Sequence, residues 1–473
     1  MASTILWFRR NLRLGGNAAL QQAIATGQSI VPIYVVDELD SGSASRWWLH
    51  HSLASLDADI AELGGQLIIA SGDPGKVLPA LAHEVDAQAV VSTRRLEPRA
   101  ALQESQIRRA LGADALELAD DCLLNPPERI ATLTGSAYKI FTPYYRAASA
   151  FNEPPLPEAT PANVNWFAGP VDSLALADLE LLPTSPDWAG GMRDYWEIGE
   201  NAAHRRIDSM AENISDYALG RDLPAFDHTS GLSPHLHFGE ISPAQVWHAI
   251  VNSARERGLE DAAEPFIRQL YWRDFSSDLF YHFPTLPESP LRDEFRAFPW
   301  TEDPAALQAW QRGQTGFPIV DAGMRQLWHI GWMHNRVRMI VASLLVKHLL
   351  IPWQSGANWF LDTLVDADLA NNSAGWQWVA GCGTDAAPYF RIFNPIAQGK
   401  KFDPDGTYVR RWVPELRELP AQFIHEPWTA DEFTKQTSGV RIGKDYPAPV
   451  IEHKRGRERA LEADQLMRSA TTA

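Results

Sequence analysis

Cysteine is nearly absent: Cys122 and Cys382 are the only two among 473 residues. That excludes a disulfide framework, a four-cysteine zinc site and a four-cysteine iron–sulfur cluster within one chain. It also points to a reducing, cytoplasmic compartment. No apolar run reaches the ~18 residues of a membrane span. The opening Met1-Ala2-Ser3-Thr4-Ile5-Leu6-Trp7 lacks the basic segment and apolar stretch of a secretion leader, so no membrane partner is expected. The first strand-like run leads into Leu14-Gly15-Gly16-Asn17, not Gly-x-Gly-x-x-Gly, and there is no Walker A sequence. A standard dinucleotide or nucleoside-triphosphate site is therefore not expected near the N-terminus, and no metal site is expected anywhere. Positive charge is scarce as well: 42 Lys and Arg stand against 59 Asp and Glu, a net −17. The deficit is uneven. Residues 321–412 hold 9 basic and 7 acidic side chains, which permits a polyanion-binding face in an acidic protein.

Tryptophan is abundant. There are 18, twelve of them after residue 200. The ring packs in cores, stacks on flat ligands and can be oxidised by one electron. Core packing explains any one of them better than it explains the group.

The first ~130 residues alternate between two patterns. Thr4–Phe8, Ser29–Val36, Gln66–Ala70 and Ala87–Thr93 read as strands. Asn17–Ala25, Arg46–Leu63 and Lys76–His83 read as helices. This predicts an α/β domain (1–130) with a doubly wound, Rossmann-like parallel sheet, whose ligands would lie at the carboxyl ends of the strands. Residues 131–200 read as a long linker, broken by Asn152-Glu153-Pro154-Pro155-Leu156-Pro157, Pro161, Pro170 and Pro183; Trp166, Trp188 and Trp196 suggest that it packs down. From 201 to 473 apolar residues recur at three- and four-residue spacings, in Ala202–Met210, Pro243–Ala254, Pro265–Phe280, Ala305–Gln311, Val320–Trp328, Met333–His348 and Trp353–Leu361. An all-α domain is expected there, ending in a charged helix or a fraying end.

Three segments carry candidate chemistry. Thr229-Ser230-Gly231-Leu232-Ser233-Pro234 offers hydroxyls and free N–H groups suited to phosphate, or a plain capped turn. Gln269, Trp272 and Arg273 share one helix face at i, i+3 and i+4. An amide, a flat ring and a cation suit a nucleobase and its phosphate; a buried Trp beside an external ion pair is the structural alternative. Asn335, Arg338 and Met339 share a second face, followed by Asp366-Ala367-Asp368 and Asn371-Asn372. One of these carboxylates could neutralise Arg338 while the other accepts from a sugar or ring N–H, or both could be structural ion pairs.

Taken in order, several motifs resemble the photolyase/cryptochrome family. They are Trp7-Phe8-Arg9-Arg10-Asn11-Leu12-Arg13-Leu14, Thr229–Pro234, Trp272-Arg273-Asp274-Phe275, Gly331-Trp332-Met333-His334-Asn335-Arg336, Asp366–Asn372, Gly375-Trp376-Gln377-Trp378 and Tyr389-Phe390-Arg391-Ile392-Phe393-Asn394-Pro395. The resemblance spans nearly the whole chain and is nearest to the class I-like bacterial branch that repairs cyclobutane pyrimidine dimers. It implies FAD in the helical domain, DNA carrying a pyrimidine dimer as substrate, light-driven repair by electron transfer from reduced FAD, and a monomer.

By that likeness Tyr217 and Thr229, Ser230, Gly231, Leu232 and Ser233 would contact the FAD phosphates. Arg338 would pair with Asp366 beside the flavin ring, with Gln269, Trp332, Asn335 and Ala367 close by. Asp368 would touch flavin or ribose, and Asn372 would face flavin N5. Trp376, Trp353 and Trp300 would carry electrons from flavin to surface. Trp272 and Trp378 would wall the dimer, Asn335 and Met339 would contact it, and Arg221, Arg273 and Arg336 would meet DNA phosphates. Dimer-repairing relatives usually have Glu where this chain has Gln269, so lower repair efficiency is expected with the same substrate class. Met339 stands where the (6-4) branch has a proton-donating His nearby. Family members often carry a folate or deazaflavin antenna. Trp47 and Trp48 could stack on one or serve the core, and the family's folate-contact pair is replaced around Glu97-Pro98-Arg99. A cryptochrome-type photoreceptor, a (6-4) photolyase and an adenosine-nucleotide-binding electron-transfer flavoprotein are the alternatives. Gln269 favours the first of these; the lack of a long tail beyond the family domain disfavours it.

Overall fold

The computed structural model describes residues 2–37, 42–151, 153–389 and 391–472. Asn152 and Phe390, cited above, lie outside the described residues. Five strands, β1 (Ser3–Phe8), β2 (Ser29–Val36), β3 (Ile68–Ser71), β4 (Ala87–Thr93) and β5 (Leu116–Ala119), pair in parallel in the order β3-β2-β1-β4-β5. Ile5 of the central β1 lies between Val31 and Val90. Helices α1 (Ala18–Ala25), α2 (Ser43–Glu62), α3 (Pro74–Glu84) and α4 (Pro98–Leu111) alternate with the strands. A strand covered on both faces needs no polar side, and β1 is buried at all six positions. The expected strands and helices are present. The sequence reading misses β5, whose four residues with Glu117 exposed make no usable pattern.

The Trp7–Leu14 motif does structural work after β1. Arg9 pairs with Glu104 at 2.7 Å and Arg13 with Asp121 at 2.6 Å, while Arg13 also donates to the Gly239 carbonyl. Glu200 accepts from the backbone N–H groups of Leu14 and Gly15. The proline-broken stretch packs down as expected. Phe167 N–H donates to the Ile30 carbonyl beside β2, and Trp166 and Trp196 are buried.

The remaining helices are α5 (Phe141–Ser149), α6 (Gly190–Tyr195), α7 (Glu200–Glu212), α8 (Ile214–Gly220), α9 (Ser233–Phe238), α10 (Pro243–Arg257), α11 (Glu260–His282), α12 (Pro304–Gln311), α13 (Pro318–Ile330), α14 (Asn335–Ser343), α15 (Trp353–Thr363) and α16 (Leu369–Ala380). Shorter helices and His453–Thr472 follow. End signals are local. Ser242 and Gln245 form a capping box on α10, and Gly258 closes it in the left-handed region.

Two elements differ from expectation. Met333–His348 is not one helix. Gly331 ends α13 with φ +66°, His334 caps α14, and α14 runs into a π-turn at Leu344–His348 before Leu350 at φ +59°. Asp366–Asp368 is not helical; Asp368 is the N-cap of α16, accepting from Asn371 N–H at 2.9 Å. No apolar stripe announces α16, because Asn371, Asn372, Ser373 and Gly375 dilute it.

Two compact units make up the chain. One holds Met1–Ala218, Ser230–Pro284 and Val365–Ala367; the other holds Leu219–Thr229, Thr285–Leu364 and Asp368–Ala473. No helix among the described residues is long and apolar enough to cross a membrane.

Candidate functional site

In the unit that contains the sheet, α9 begins at the hydroxyl-rich segment. Ser230 Oγ accepts from Leu232 N–H at 3.3 Å, and Ser233 Oγ donates to the buried Asp366 carboxylate at 2.6 Å. Ala367 is half-buried. Gly231 has φ +62°, and a Cβ there would stand 2.5 Å from Nη1 of Arg206. Tyr217, on α8, is buried with its edge toward Phe266 of α11, centroids 5.1 Å apart.

On α11, Gln269 Nε2 donates to the Pro265 carbonyl one turn earlier at 3.0 Å. That bond fixes the amide, so Oε1 is the atom left to meet a ligand as an acceptor. Trp272, half-buried, lies face to face with Phe141 of α5 at 3.6 Å, planes 9° apart. Arg273 is turned inward: it donates to the carbonyls of Cys122 (2.5 Å) and Leu236 (3.4 Å). It therefore joins backbone segments in this structure, where a DNA-facing cation had been expected.

In the other unit, Asn335, Arg338 and Met339 share a face of α14 as the spacing predicts. Asn335 is exposed and Met339 half-buried. Arg338 Nε donates to the Met333 carbonyl at 2.7 Å, with its guanidinium 5.9 Å from the Trp332 ring centroid. Arg336 pairs with Asp222 at 2.9 Å and lies over Phe402, so a neighbouring carboxylate balances its charge. Arg221 and Thr229 are half-buried. His334 is buried, and its Nδ1 accepts from Arg336 N–H at 3.2 Å. Burial, the largest influence, pushes its pKa down to about 4, so it is neutral at physiological pH and occupied as a cap.

Helix α16 packs against both α14 and α15. Asn372 Nδ2 donates to the Ala357 carbonyl of α15 at 3.0 Å, which leaves Oδ1 as the outward acceptor. One turn on, Trp376 lies against Phe360 (5.1 Å) and Trp310 (6.1 Å). Gly356 makes that contact possible, since a Cβ there would fall 2.0 Å from the Trp376 ring. Trp353 is buried on the same face of α15 as Gly356, Ala357 and Phe360. Trp300 packs on Phe298 at 4.4 Å, and Trp378 is half-buried.

Comparison with known proteins now bears on this arrangement. The DNA photolyase family profile matches residues 4–162, and the profile of the FAD binding domain of DNA photolyase matches 266–465. The deoxyribodipyrimidine photo-lyase of Agrobacterium fabrum is 46% identical, over 99% of both chains. That of Escherichia coli is 36% identical, again over 99% of each. A crystal structure of a bacterial class III photolyase from Agrobacterium tumefaciens superposes with a TM-score of 0.96 at 45% identity, covering 99% of this chain and 98% of that one. A Synechocystis cryptochrome superposes at 0.90 with 27% identity, covering 98% and 99%.

The chain belongs to the DNA photolyase family.

Its FAD-binding domain calls for FAD, and the residues present fit that group. A flavin needs an acceptor for a ring N–H, and with Nδ2 bonded to Ala357 the Oδ1 atom of Asn372 is an acceptor of that kind. Its phosphates need hydroxyls and positive charge, and Ser230 and the Arg206 guanidinium are groups of those kinds beside Gly231. Among the described residues no group of three His, Cys, Asp or Glu could hold a metal ion.

A cavity of about 470 Å³ opens at the carboxyl ends of β1, β2 and β3, lined by Trp7, Arg9, Tyr34, Asp37 and Arg95 among others. This is where an open parallel sheet binds ligands. Asp37 is held by Arg99 and by Gln103 at 2.6 Å, so the Glu97-Pro98-Arg99 segment braces the cavity wall. Trp47 and Trp48 are not on that wall. Both are fully buried, and Trp48 Nε1 donates to Glu240 at 2.8 Å.

Phe141 and Arg206 went unnoticed in the sequence. Phe141 lies in the stretch read as linker. Arg206 follows Arg205 on an amphipathic helix, where nothing separates a cation in use from a solvated one.

Proposed function

We propose that the protein is a deoxyribodipyrimidine photo-lyase that repairs cyclobutane pyrimidine dimers in DNA in the light. The observation that carries this reading is the open face of α14. Asn335 and Met339 are presented together there, while His334 is buried, neutral and used as a cap. A site without an available imidazole acid suits a reaction that opens a cyclobutane ring with no net proton transfer. It does not suit (6-4) chemistry, which the family performs with a His.

FAD, bound and in its light-excited reduced state, supplies the electron that splits the dimer and takes it back afterwards. The protein's residues position the reactants. Tyr217 and Thr229–Ser233 hold the phosphates. Asp366, Ala367, Asp368, Trp332 and Arg338 would hold the ring system and ribose, and Asn372 Oδ1 would accept from a ring N–H. The dimer is turned out of the duplex, because stacked bases cannot reach a buried cofactor. Trp272 and Trp378 receive it on apolar faces, Asn335 and Met339 contact it, and Gln269 Oε1 accepts from a pyrimidine N3–H. Arg221 and Arg336 would meet phosphates of the strand. Trp376, Trp353 and Trp300 would form the path by which electrons reach bound oxidised flavin. The protein acts as a monomer, and the free thiols of Cys122 and Cys382 suit the cytoplasm. The cavity at the sheet would carry an antenna pigment.

The test is to illuminate the reduced holoprotein with blue light in the presence of oligonucleotides carrying either lesion. Loss of cyclobutane dimers alone supports the assignment. Loss of (6-4) lesions alone overturns the branch, and light-independent binding without loss of either would mark a photoreceptor.

A further inference from the structure

We propose that Arg206 of α7 is a ligand for the FAD phosphates, supplying the positive charge that the hydroxyl-rich segment Ser230–Ser233 lacks. The assignment rests on the FAD reading above and names a contact that the sequence motifs do not contain.

The geometry is that of a placed cation awaiting an anion. The Arg206 guanidinium is half-buried, and among the described residues it has no hydrogen bond and no ion pair. Its five N–H donors cannot be discharged by losing a proton. A partly desolvated guanidinium normally has a carboxylate or carbonyl partner. The carboxylate that feels its charge, Glu197, is exposed and committed to Arg205 at 2.7 Å. Arg206 is nevertheless fixed in place. Its Cζ lies 4.8 Å from the centroid of Trp196, a buried ring held in turn against Trp48 at 5.2 Å. Stacking on an indole leaves the edge of the guanidinium, where the N–H groups point, available to a ligand.

That edge meets the phosphate-contact segment. Nη1 would lie 2.5 Å from a Cβ at position 231, so a side chain there would have to displace the guanidinium. The same residue needs the left-handed backbone, at φ +62°. Residues 229–233 contain hydroxyls but neither Lys nor Arg. A dinucleotide pyrophosphate carries two negative charges. The planar guanidinium fork bonds such oxygens two at a time, and a hydroxyl cannot replace it. DNA phosphate has the same chemistry and is the competing source.

The test uses the holoprotein and three substitutions. Arg206→Gln should weaken FAD retention about tenfold or more, the usual worth of a charge-assisted hydrogen bond. It should also flatten the salt dependence of FAD affinity relative to the wild type. Arg206→Lys should restore part of both, because the charge survives without the fork. Gly231→Ala, which crowds the guanidinium from the other side, should weaken FAD retention as well. A merely structural Arg206 would leave the salt dependence unchanged. The assignment is overturned if Arg206→Gln holds FAD as tightly as wild type. It is also overturned if the salt dependence persists, or if only DNA binding falls. A wild-type protein that retains no FAD would instead sink the functional reading itself, and this contact with it.

Discussion

The ring of Phe141 lies flat on the indole of Trp272, 3.6 Å between centroids and 9° between planes. Phe141 is buried and Trp272 only half so; one indole face is therefore taken and the remaining exposure belongs to the other face and the edge. Arg268 covers Phe141 and Tyr145 from the same helix as Trp272, and Tyr144 packs on Phe275. Helix α5 would thus set the angle at which Trp272 meets a base in the proposed complex. Phe141→Leu keeps most of the volume and loses the flat platform, worth about 1 kcal/mol. Dark affinity for dimer-containing oligonucleotide should fall roughly fivefold, with repair per photon in the bound complex unchanged, and Phe141→Tyr should restore it. Fluorescence anisotropy titration in the dark checks this; unaltered affinity in the Leu variant would count against the platform.

Gln269 presents an acceptor without charge, its Nε2 being spent on the Pro265 carbonyl. A carboxylate there would accept from the same pyrimidine N–H about 1 kcal/mol more strongly. Gln269→Glu should therefore bind dimers about fivefold more tightly at neutral pH and repair more of them per photon. An equal or lower repair yield would mean that the amide is not in contact with the lesion.

Trp376 sits against Gly356 with no room for a methyl group. Gly356→Ala overpacks the α15–α16 contact at a cost of roughly 1–3 kcal/mol and shifts the indole. Light-driven reduction of bound oxidised FAD, followed by flavin absorbance, should slow while FAD stays bound. Unchanged photoreduction would remove Trp376 from the electron path.

Asp274 and Asp278 face each other's charge on one side of α11, both buried, and neither oxygen of Asp278 has a hydrogen-bond partner among the described residues. Burial, then Asp274, then Glu128 push the Asp278 pKa up to about 7; burial does the same to Asp274. Tyr144 and His282 complete the surroundings. A carboxyl raised in the folded state favours folding in its protonated form. Its contribution is full below the unfolded value near 3.8 and disappears as pH rises through about 7. Asp278→Asn should therefore raise the melting temperature most at pH 8, clearly less at pH 5 and not at all below about pH 3.8. Equal shifts at pH 8 and pH 5 would contradict the raised pKa.

The sheet was legible because a strand buried on both faces spells itself out as an apolar run, as in β1 and β2. The faces Gln269–Trp272–Arg273 and Asn335–Arg338–Met339 were legible because helical spacing is arithmetic. Spacing could not tell that Arg273 bonds inward to two carbonyls, since a cation's direction depends on acceptors 37 and 151 residues away in sequence. Nor could it find α16, which is held by its Asp368 cap and by packing on α14 and α15. Phe141 and Arg206 were invisible for the same reason: each matters only through a ring or a glycine supplied by a distant segment.

The most direct measurement is the recovery of thymine absorbance in a dimer-containing oligothymidylate mixed with the reduced holoprotein, followed in blue light and in darkness. Steady recovery in the light, with several turnovers per protein and none in the dark, is the predicted result. A flavin-loaded, reduced protein that binds the damaged strand yet leaves its absorbance unchanged under illumination would contradict the account.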